Sequence, residues 1–157
     1  MISFIDLKEE KTALYLNFPF CKSPCSYCHY IDNLKFGYTT IPDEYVEMIT
    51  IQLEYVLKQL SEKKLESIYF GGGTPSLLSN EQIKKIEEVF DKYQITSKEI
   101  SIEVHPGMCN FDYANNSFFT RYSLGVQSFD KDIMDLYHRR GYTIASIVKM
   151  VEKIRES

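Results

Sequence analysis

Short apolar runs that alternate with helical patterns organise the chain. Four of these runs predict β-strands, because apolar and polar residues alternate along them with a period of two. The predicted strands cover residues 13–18, 67–70, 99–104 and 121–126. The connecting segments are long and mostly helical in pattern, so we predict parallel strands joined by crossovers.

Helices are predicted where apolar residues recur at steps of three and four. These stretches are residues 43–60, 80–93 and 143–155, and a shorter helix-like stretch covers residues 130–138. Pro42 marks the start of the first helix, and Ser79 with Gln82 has the spacing of a capping box at the start of the second. Residues 107–120 show no helical period, so we expect a loop there with at most one helical turn.

The two faces of the predicted strands differ in chemistry. One face is aliphatic or aromatic in every strand. The other face is small or polar and carries Tyr15, Asn17, Tyr69, Gly71, Ser101, Glu103, Ser123, Gly125 and Gln127. Strands sandwiched between helices would be apolar on both faces. We therefore favour helices on the apolar face and a cavity on the polar face, although a half-solvated antiparallel sheet would show the same alternation.

The composition fits a single domain, with 157 residues of which 44% are apolar and 25% charged. A net charge of −4 and the lack of a long basic run argue against a nucleic-acid or anionic-membrane partner. No apolar stretch has transmembrane length, and residues 1–11 lack a signal-peptide pattern. We therefore expect a cytoplasmic protein, in which clustered cysteines are more often metal ligands or redox groups than disulfides.

Three of the four cysteines lie in one short segment. Cys21, Cys25 and Cys28 have the spacing C-x3-C-x2-C, and Cys109 lies far downstream. Thiolates suit zinc and iron–sulfur clusters. Zinc ligands usually come as two separated pairs, so three cysteines in one loop favour a cluster, with zinc and uncoordinated thiols as alternatives. Cys109 or His105 could add a fourth ligand through a long-range closure.

Further candidates stand at the predicted carboxyl ends of the strands, the edge where parallel α/β folds bind ligands. The three glycines before Thr74 allow a ligand to approach the backbone, and they match neither a dinucleotide-binding motif nor a P-loop. Taken singly, Glu103 suggests an ion pair with an arginine and Gln127 a strand-end cap, but their convergence with the cysteines favours one shared site. Arg139 and Arg140 suggest either cations at a helix C-terminus or a fork for a carboxylate.

Four blocks of the sequence together resemble the radical S-adenosylmethionine (SAM) enzymes, specifically their coproporphyrinogen-dehydrogenase and haem-chaperone (HemN/HemW-like) branch. The blocks are LYLNFPFCKSPCSYCHY, IYFGGGTPSLL, EISIEVHPG and YSLGVQSFDKDIMDLYHRRGYT, and they run from residue 14 to residue 143. The resemblance implies an α/β fold that forms the N-terminal half of a partial TIM barrel. We accordingly expect about four parallel βα units with their helices outside.

The resemblance also implies the cofactors. Cys21, Cys25 and Cys28 would bind three irons of a 4Fe–4S cluster, and SAM would chelate the fourth iron through its amino and carboxylate groups. Reductive cleavage of SAM would then give methionine and a 5′-deoxyadenosyl radical that abstracts hydrogen from a substrate. In this family the cofactor supplies the difficult chemistry and the protein positions it.

The same resemblance assigns the SAM contacts. The implied residues are Tyr15, Tyr27, Gly72, Gly73, Thr74, Glu103, Gln127 and Arg139. Tyr15 would pack beside the cluster and SAM, and Tyr27 would reach the adenine region. Gly72 and Gly73 would contact the SAM amino group through their backbone, and Arg139 would meet its carboxylate. Glu103 and Gln127 would contact the methionine or ribose parts of SAM.

Departures from the family pattern change the expected activity. Tyr30 stands where the dehydrogenase members have a further cysteine, and few residues precede Tyr15, so haem-chaperone-like or other members of the branch are favoured. A complete (β/α)8 barrel takes about 250 residues. We therefore expect residues 1–157 to be one truncated core domain, which is a fragment, a truncated product, or part of a split protein completed by a second chain.

The expected partners are a small-molecule substrate, with a tetrapyrrole as the candidate, and an external electron donor. Two alternatives stay within the branch: a haem chaperone with little catalysis and a radical SAM methyltransferase. A zinc-binding structural module is the alternative outside it.

Overall fold

The computed structural model of the chain describes residues 12–139 and 141–156. A parallel sheet of four strands, in the order β1-β2-β3-β4, forms its centre. The strands are β1 Ala13–Phe18, β2 Lys64–Gly72, β3 Thr96–Val104 and β4 Arg121–Leu124. The predicted α/β class and parallel pairing are confirmed, and the antiparallel alternative is wrong. The predictions for residues 1–11 and for Arg140 lie outside the described residues.

Four helices follow the predicted pattern, with ends that differ by one residue or two from the predicted ones. They are α1 Asp43–Gln59, α2 Asn80–Lys92, α3 Lys131–Leu136 and α4 Ile144–Glu156. The helix-like stretch at 130–138 contracts to the single short helix α3, which Asp130 caps through its carboxylate. Within the described ranges, no helix has the length and apolar character needed to cross a membrane.

The capping box at the start of α2 is present. The Ser79 hydroxyl accepts from the Gln82 N–H at 3.2 Å, and the Gln82 side-chain oxygen accepts from the Ser79 N–H at 3.1 Å. Two N–H groups at the helix start are therefore satisfied locally. The Gln82 side chain also donates to the Ile41 carbonyl at 2.8 Å, which ties the start of α2 to the segment before α1.

The connection from β3 to β4 contains no helix, as the sequence predicts for residues 107–120. Asn116 organises it instead, because its side-chain oxygen accepts from the N–H groups of Phe118 and Phe119. Both phenylalanine rings pack edge-on against Phe70 of β2, with ring centroids 5.9 and 5.1 Å away. This loop thus covers apolar sheet surface that a crossover helix would otherwise cover.

The apolar and polar faces of the strands separate as predicted. Phe18, Phe70 and Ile102 point into a fully buried core. The helices contribute buried residues to the same core, namely Val46, Leu53, Leu57, Ile83, Ile86, Val89, Phe90 and Met150. On the opposite face Tyr15 is 58% exposed. The helices therefore cover one face of the sheet, whereas the polar face keeps exposed or partly exposed side chains such as Tyr15 and Glu103 beside the buried Ser101.

Strand β4 ends at Leu124, two residues earlier than predicted. The chain turns there through two successive three-residue turns, in which Val126 N–H donates to Leu124 O and Ser128 N–H donates to Val126 O, both at 2.9 Å. Gln127 is the central residue of the second turn and has φ 69°. A γ-turn with positive φ at a residue other than glycine is strained and tends to occur at functional sites.

We expect Phe70→Ala to lower the free energy of unfolding by about 3–5 kcal/mol, because it empties a fully buried site between three aromatic rings. Urea denaturation measures the change. Phe129→Ala is the control, since this ring is 64% exposed and should change stability by no more than about 0.5 kcal/mol. Equal losses in the two variants would contradict the described core.

Candidate functional site

A cavity of about 900 Å³ opens at the carboxyl edge of the sheet. It lies there because the carboxyl ends of parallel strands share one edge, so the loops after β1 to β4 converge. Ten of the eleven candidates from the sequence line it: Cys21, Cys25, Tyr27, Cys28, Gly72, Gly73, Thr74, Glu103, Gln127 and Arg139. The remaining candidate, Tyr15, is on the same face of the sheet but does not line the cavity. The prediction of a cavity on the polar face thus holds for the carboxyl end of that face.

The cysteine segment is held by backbone hydrogen bonds to the chain that follows it. Lys35 N–H donates to Pro19 O at 2.7 Å, and Cys21 N–H donates to Lys35 O at 2.8 Å. A tight turn places Cys28 N–H 3.0 Å from Cys25 O. The three thiols are free, partly exposed and on the wall of one cavity. In the described part of the chain, no three His, Cys, Asp or Glu side chains are grouped around a single metal-ion position.

The glycine run after β2 lies directly against the cysteine segment. A Cβ at Gly73 would be 2.6 Å from the Phe20 carbonyl oxygen and 2.9 Å from the Cys21 sulfur. Gly72 has φ 110°, and a Cβ there would collide with the Asn17 side-chain oxygen. Both positions therefore require glycine, one for space and one for space and backbone conformation. A side chain at either position would displace neighbouring residues at the end of β1 or in the loop after it, and this loop forms part of the cavity wall.

Thr74 continues this contact through its side chain. Its hydroxyl donates to the Cys21 sulfur at 3.3 Å. Burial raises the pKa of the Cys21 thiol, and the Thr74 hydrogen bond opposes that increase without cancelling it. The unloaded thiol is therefore kept neutral, and it must release its proton when a metal binds.

Glu103 has a neutral hydrogen-bond partner. The Tyr69 hydroxyl donates to a Glu103 carboxylate oxygen at 2.9 Å. The simpler sequence-based interpretation, an ion pair with Arg121 or Arg139, does not describe this side chain. Arg121 lies 3.6 Å from Glu99 instead, and Arg139 donates to Gly125 O and the Cys25 sulfur. The Glu103 carboxylate is therefore oriented by a phenol and remains free to accept further hydrogen bonds from the cavity.

Tyr15 lies on the polar face of the sheet, in strand β1 and outside the cavity. Its ring stacks on the Tyr69 ring, with centroids 5.7 Å apart and planes 8° from parallel. A Cβ at Gly71 would be 2.5 Å from the Tyr15 hydroxyl. Tyr15 thus supports the Tyr69 ring that holds Glu103, and its predicted contact with the cluster and SAM stays a prediction.

Arg139 connects two walls of the cavity. Its guanidinium donates to Gly125 O at 2.6 Å and to the Cys25 sulfur at 3.6 Å. Its Nε is buried and has no hydrogen-bond partner among the described residues. A guanidinium in this position offers a donor and a positive charge next to the thiols.

Ser26 fixes the helix that precedes Arg139. Its N–H donates to Tyr137 O at 3.3 Å, and its hydroxyl donates to Leu136 O at 3.0 Å. These are the carbonyl groups that the C-terminus of α3 leaves without partners in the helix. The cysteine segment and the Arg139 segment are therefore bound to each other, a contact that joins residues too distant in sequence for any local pattern to indicate.

The two residues that the sequence offered as a fourth metal ligand have other surroundings. Cys109 is packed against the core, its thiol is 3.6 Å from Phe111 O, and it does not line the cavity. His105 does line the cavity, but its Nδ1 accepts from Gly107 N–H at 3.1 Å. Burial and the charge of Arg139 lower the pKa of His105 to about 3.

Comparison with known proteins identifies the family. The chain belongs to the radical SAM superfamily, since the model of that superfamily matches residues 16–157. Within the superfamily it falls in the HemN/HemW-like branch, as its sequence predicts.

Three similar proteins illustrate this placement. The haem chaperone HemW of Buchnera aphidicola subsp. Schizaphis graminum is 33% identical over 150 residues, which are 92% of this chain and 39% of that protein. HemW of Synechocystis sp. is 37% identical over 82% of this chain and 34% of its own length. The structure of coproporphyrinogen III oxidase (HemN) from Escherichia coli, a radical SAM enzyme, matches with a TM-score of 0.72 and 25% identity over 92% of this chain and 34% of that one. The chain thus spans less than half the length of each.

The pKa of His105 predicts how stability depends on pH. The folded chain keeps the ring neutral down to a pH of about 3, whereas the unfolded chain protonates it below its ordinary pKa of 6.5. The unfolded state binds one more proton than the folded state in this window. The free energy of unfolding should therefore decrease as the pH is lowered, by up to about 1.4 kcal/mol for each pH unit.

Denaturant unfolding of the metal-free chain between pH 6.5 and about pH 5 measures this slope, since most carboxylates titrate lower. His105→Asn should remove the share of the slope that one proton contributes. Identical slopes for the wild-type chain and the variant would contradict a buried, neutral His105.

Proposed function

We propose that this chain binds a 4Fe–4S cluster through Cys21, Cys25 and Cys28, and that SAM occupies the remainder of the cavity. The observation that carries the proposal is the position of three thiols, a glycine backbone and an arginine on the wall of one cavity. Three thiolates from one loop suit an iron–sulfur cluster, and they leave one iron for a chelating ligand.

The surroundings of the thiols fit such a group. Gly73 keeps the space beside the Cys21 sulfur free of any side chain, and the Arg139 guanidinium adjoins the Cys25 sulfur. A cluster with three thiolates carries negative charge, which a nearby guanidinium stabilises. The Thr74 hydroxyl at the Cys21 sulfur adds a hydrogen bond of the kind that tunes cluster potentials.

Other residues are suited to bind and orient SAM. The Gly72 and Gly73 backbone can approach an amino group closely, because both residues line the cavity and carry no side chain. The Glu103 carboxylate, oriented by Tyr69, can accept hydrogen bonds from ribose hydroxyls or an ammonium group. Arg139 can pair with the carboxylate of SAM. Each of these groups is held in place before a ligand arrives.

With a reduced cluster bound, the cofactors would supply reductive cleavage of SAM and hydrogen abstraction from a substrate. An external donor would provide the electron. The names of the relatives, coproporphyrinogen III oxidase and haem chaperone, both concern tetrapyrroles. We therefore propose a tetrapyrrole or a related flat macrocycle as the small-molecule substrate class.

Haem handling with little catalysis is the second candidate function. It is favoured by the higher identity to HemW proteins, 33% and 37%, than to the HemN structure, 25%.

Anaerobic incubation of the reconstituted chain with SAM, dithionite and either coproporphyrinogen or haem separates the enzyme from the chaperone function. Formation of 5′-deoxyadenosine that increases with coproporphyrinogen supports the enzyme, whereas tight haem binding without turnover supports the chaperone.

Cys25→Ala should abolish cluster assembly, because two thiolates from one loop cannot hold three irons. Iron and acid-labile sulfide are measured after anaerobic reconstitution, together with the absorption band near about 400 nm of thiolate-ligated clusters. Cys109→Ala is the matched control and should keep the full iron content, because Cys109 lies outside the cavity. Unchanged iron content in Cys25→Ala, or stoichiometric zinc in place of iron, would contradict the proposal.

A further inference from the structure

His105 occupies a wall of the cavity that no assigned role explains. It follows β3 directly, two residues after Glu103, and only 5% of its surface is exposed. Its backbone N–H donates to the Ser76 hydroxyl at 3.1 Å, and that hydroxyl donates to Met108 O at 2.6 Å. The backbone of His105 is therefore held by Ser76, which belongs to the segment after the glycine run.

The ring itself is held in one orientation and one tautomer. Gly107 N–H donates to its Nδ1 at 3.1 Å, so Nδ1 carries no proton and a neutral ring must carry its proton on Nε2. The ring packs edge-on against Tyr142, with centroids 5.6 Å apart. A buried neutral imidazole in this state is a directed hydrogen-bond donor.

The Nε2 donor belongs to a residue that lines the cavity, and no hydrogen bond joins Nε2 to another residue of the described chain. It is also not fully enclosed by protein, because among the described residues the fully enclosed side-chain nitrogen or oxygen without a partner is Arg139 Nε. An N–H group in this situation either meets water or serves a ligand.

The segment after α3 is held against the turn that carries His105. A Cβ at Gly107 would collide with the Gly141 carbonyl oxygen, so the two backbones touch. Gly141 and Arg139 line the same cavity as His105, and the charges of Arg139 and Lys22 act on the His105 ring. The imidazole N–H and two cations therefore share this side of the cavity, which favours an anionic group on the ligand.

We propose that His105 donates its Nε2–H to the carboxylate of bound SAM, beside Arg139. This inference rests on the proposed function, because it names a contact of that cosubstrate. Two donors of different geometry would fix the orientation of the carboxylate, whereas Arg139 alone could pair with it from several directions. A neutral donor also leaves the charge of the site unchanged over the physiological pH range.

Two substitutions separate the donor from the structural role of the ring. His105→Asn can keep an acceptor near Nδ1 for Gly107 N–H, but it places no atom at Nε2. His105→Gln can place an amide N–H near Nε2, but it loses the acceptor for Gly107. The reconstituted full chain is titrated with SAM and with decarboxylated SAM by calorimetry, and iron content and thermal unfolding verify that each variant is loaded and folded.

We expect His105→Asn to weaken SAM binding about tenfold, the size of one lost hydrogen bond to a charged group. Binding of decarboxylated SAM should stay within about twofold for the same variant, and His105→Gln should keep SAM binding within about threefold of the wild type. Normal SAM binding by His105→Asn, or equal weakening of both ligands, would overturn the inference while the proposed function stands. A loaded wild-type chain that does not bind SAM would overturn both.

Discussion

The one-sided burial of the parallel sheet is the constraint on which the rest of the structure depends. Phe18, Phe70 and Ile102 face the helices and are fully buried, so the alternate residues of the same strands must face the other way. No described helix covers that second face, and Tyr15 on it is largely exposed. A polar face at the centre of an α/β domain is stable only if its groups meet solvent, a ligand or hydrogen-bond partners within the protein.

The parallel arrangement then decides where the ligand site lies. All four strands end at the same edge, which brings the cysteine segment, the glycine run, Glu103 and Gln127 to one cavity. Contacts between the loops, and one between the strands β2 and β3, give the site its geometry. The loop contacts are Thr74 with Cys21 and Arg139 with both Gly125 and Cys25, and the strand contact is Tyr69 with Glu103. The strained γ-turn at Gln127 belongs to the same edge.

Local features of the fold were predictable because neighbouring residues determine them. The capping box of α2, the alternation along β1 to β4 and the irregular β3–β4 loop all follow from patterns within about ten residues. The end of β4 was not predictable, because it depends on turns that no periodicity marks. Asn116 and its two phenylalanines show how a loop without helical pattern can still cover the core.

Much of the candidate site was also predictable, since its residues are carried by motifs at strand ends. The contacts that orient those residues were not, because they join distant segments. Tyr69 donates a hydrogen bond to Glu103, and Ser26 donates one to the end of α3. The backbones of Gly107 and Gly141 also touch, although α3 lies between them in the sequence. The sequence therefore predicts which residues form the site. Their hydrogen-bond partners cannot be predicted in this way, because they depend on how distant segments pack in the folded chain.

Iron Mössbauer spectroscopy of the reconstituted chain, with and without SAM, is the most direct test of a cluster held by three thiolates. One of the four irons of the cluster should change its isomer shift when SAM is added, because the protein ligates the other three through Cys21, Cys25 and Cys28. A spectrum in which no iron responds, or in which all irons respond alike, would contradict SAM binding at an iron that the protein leaves free.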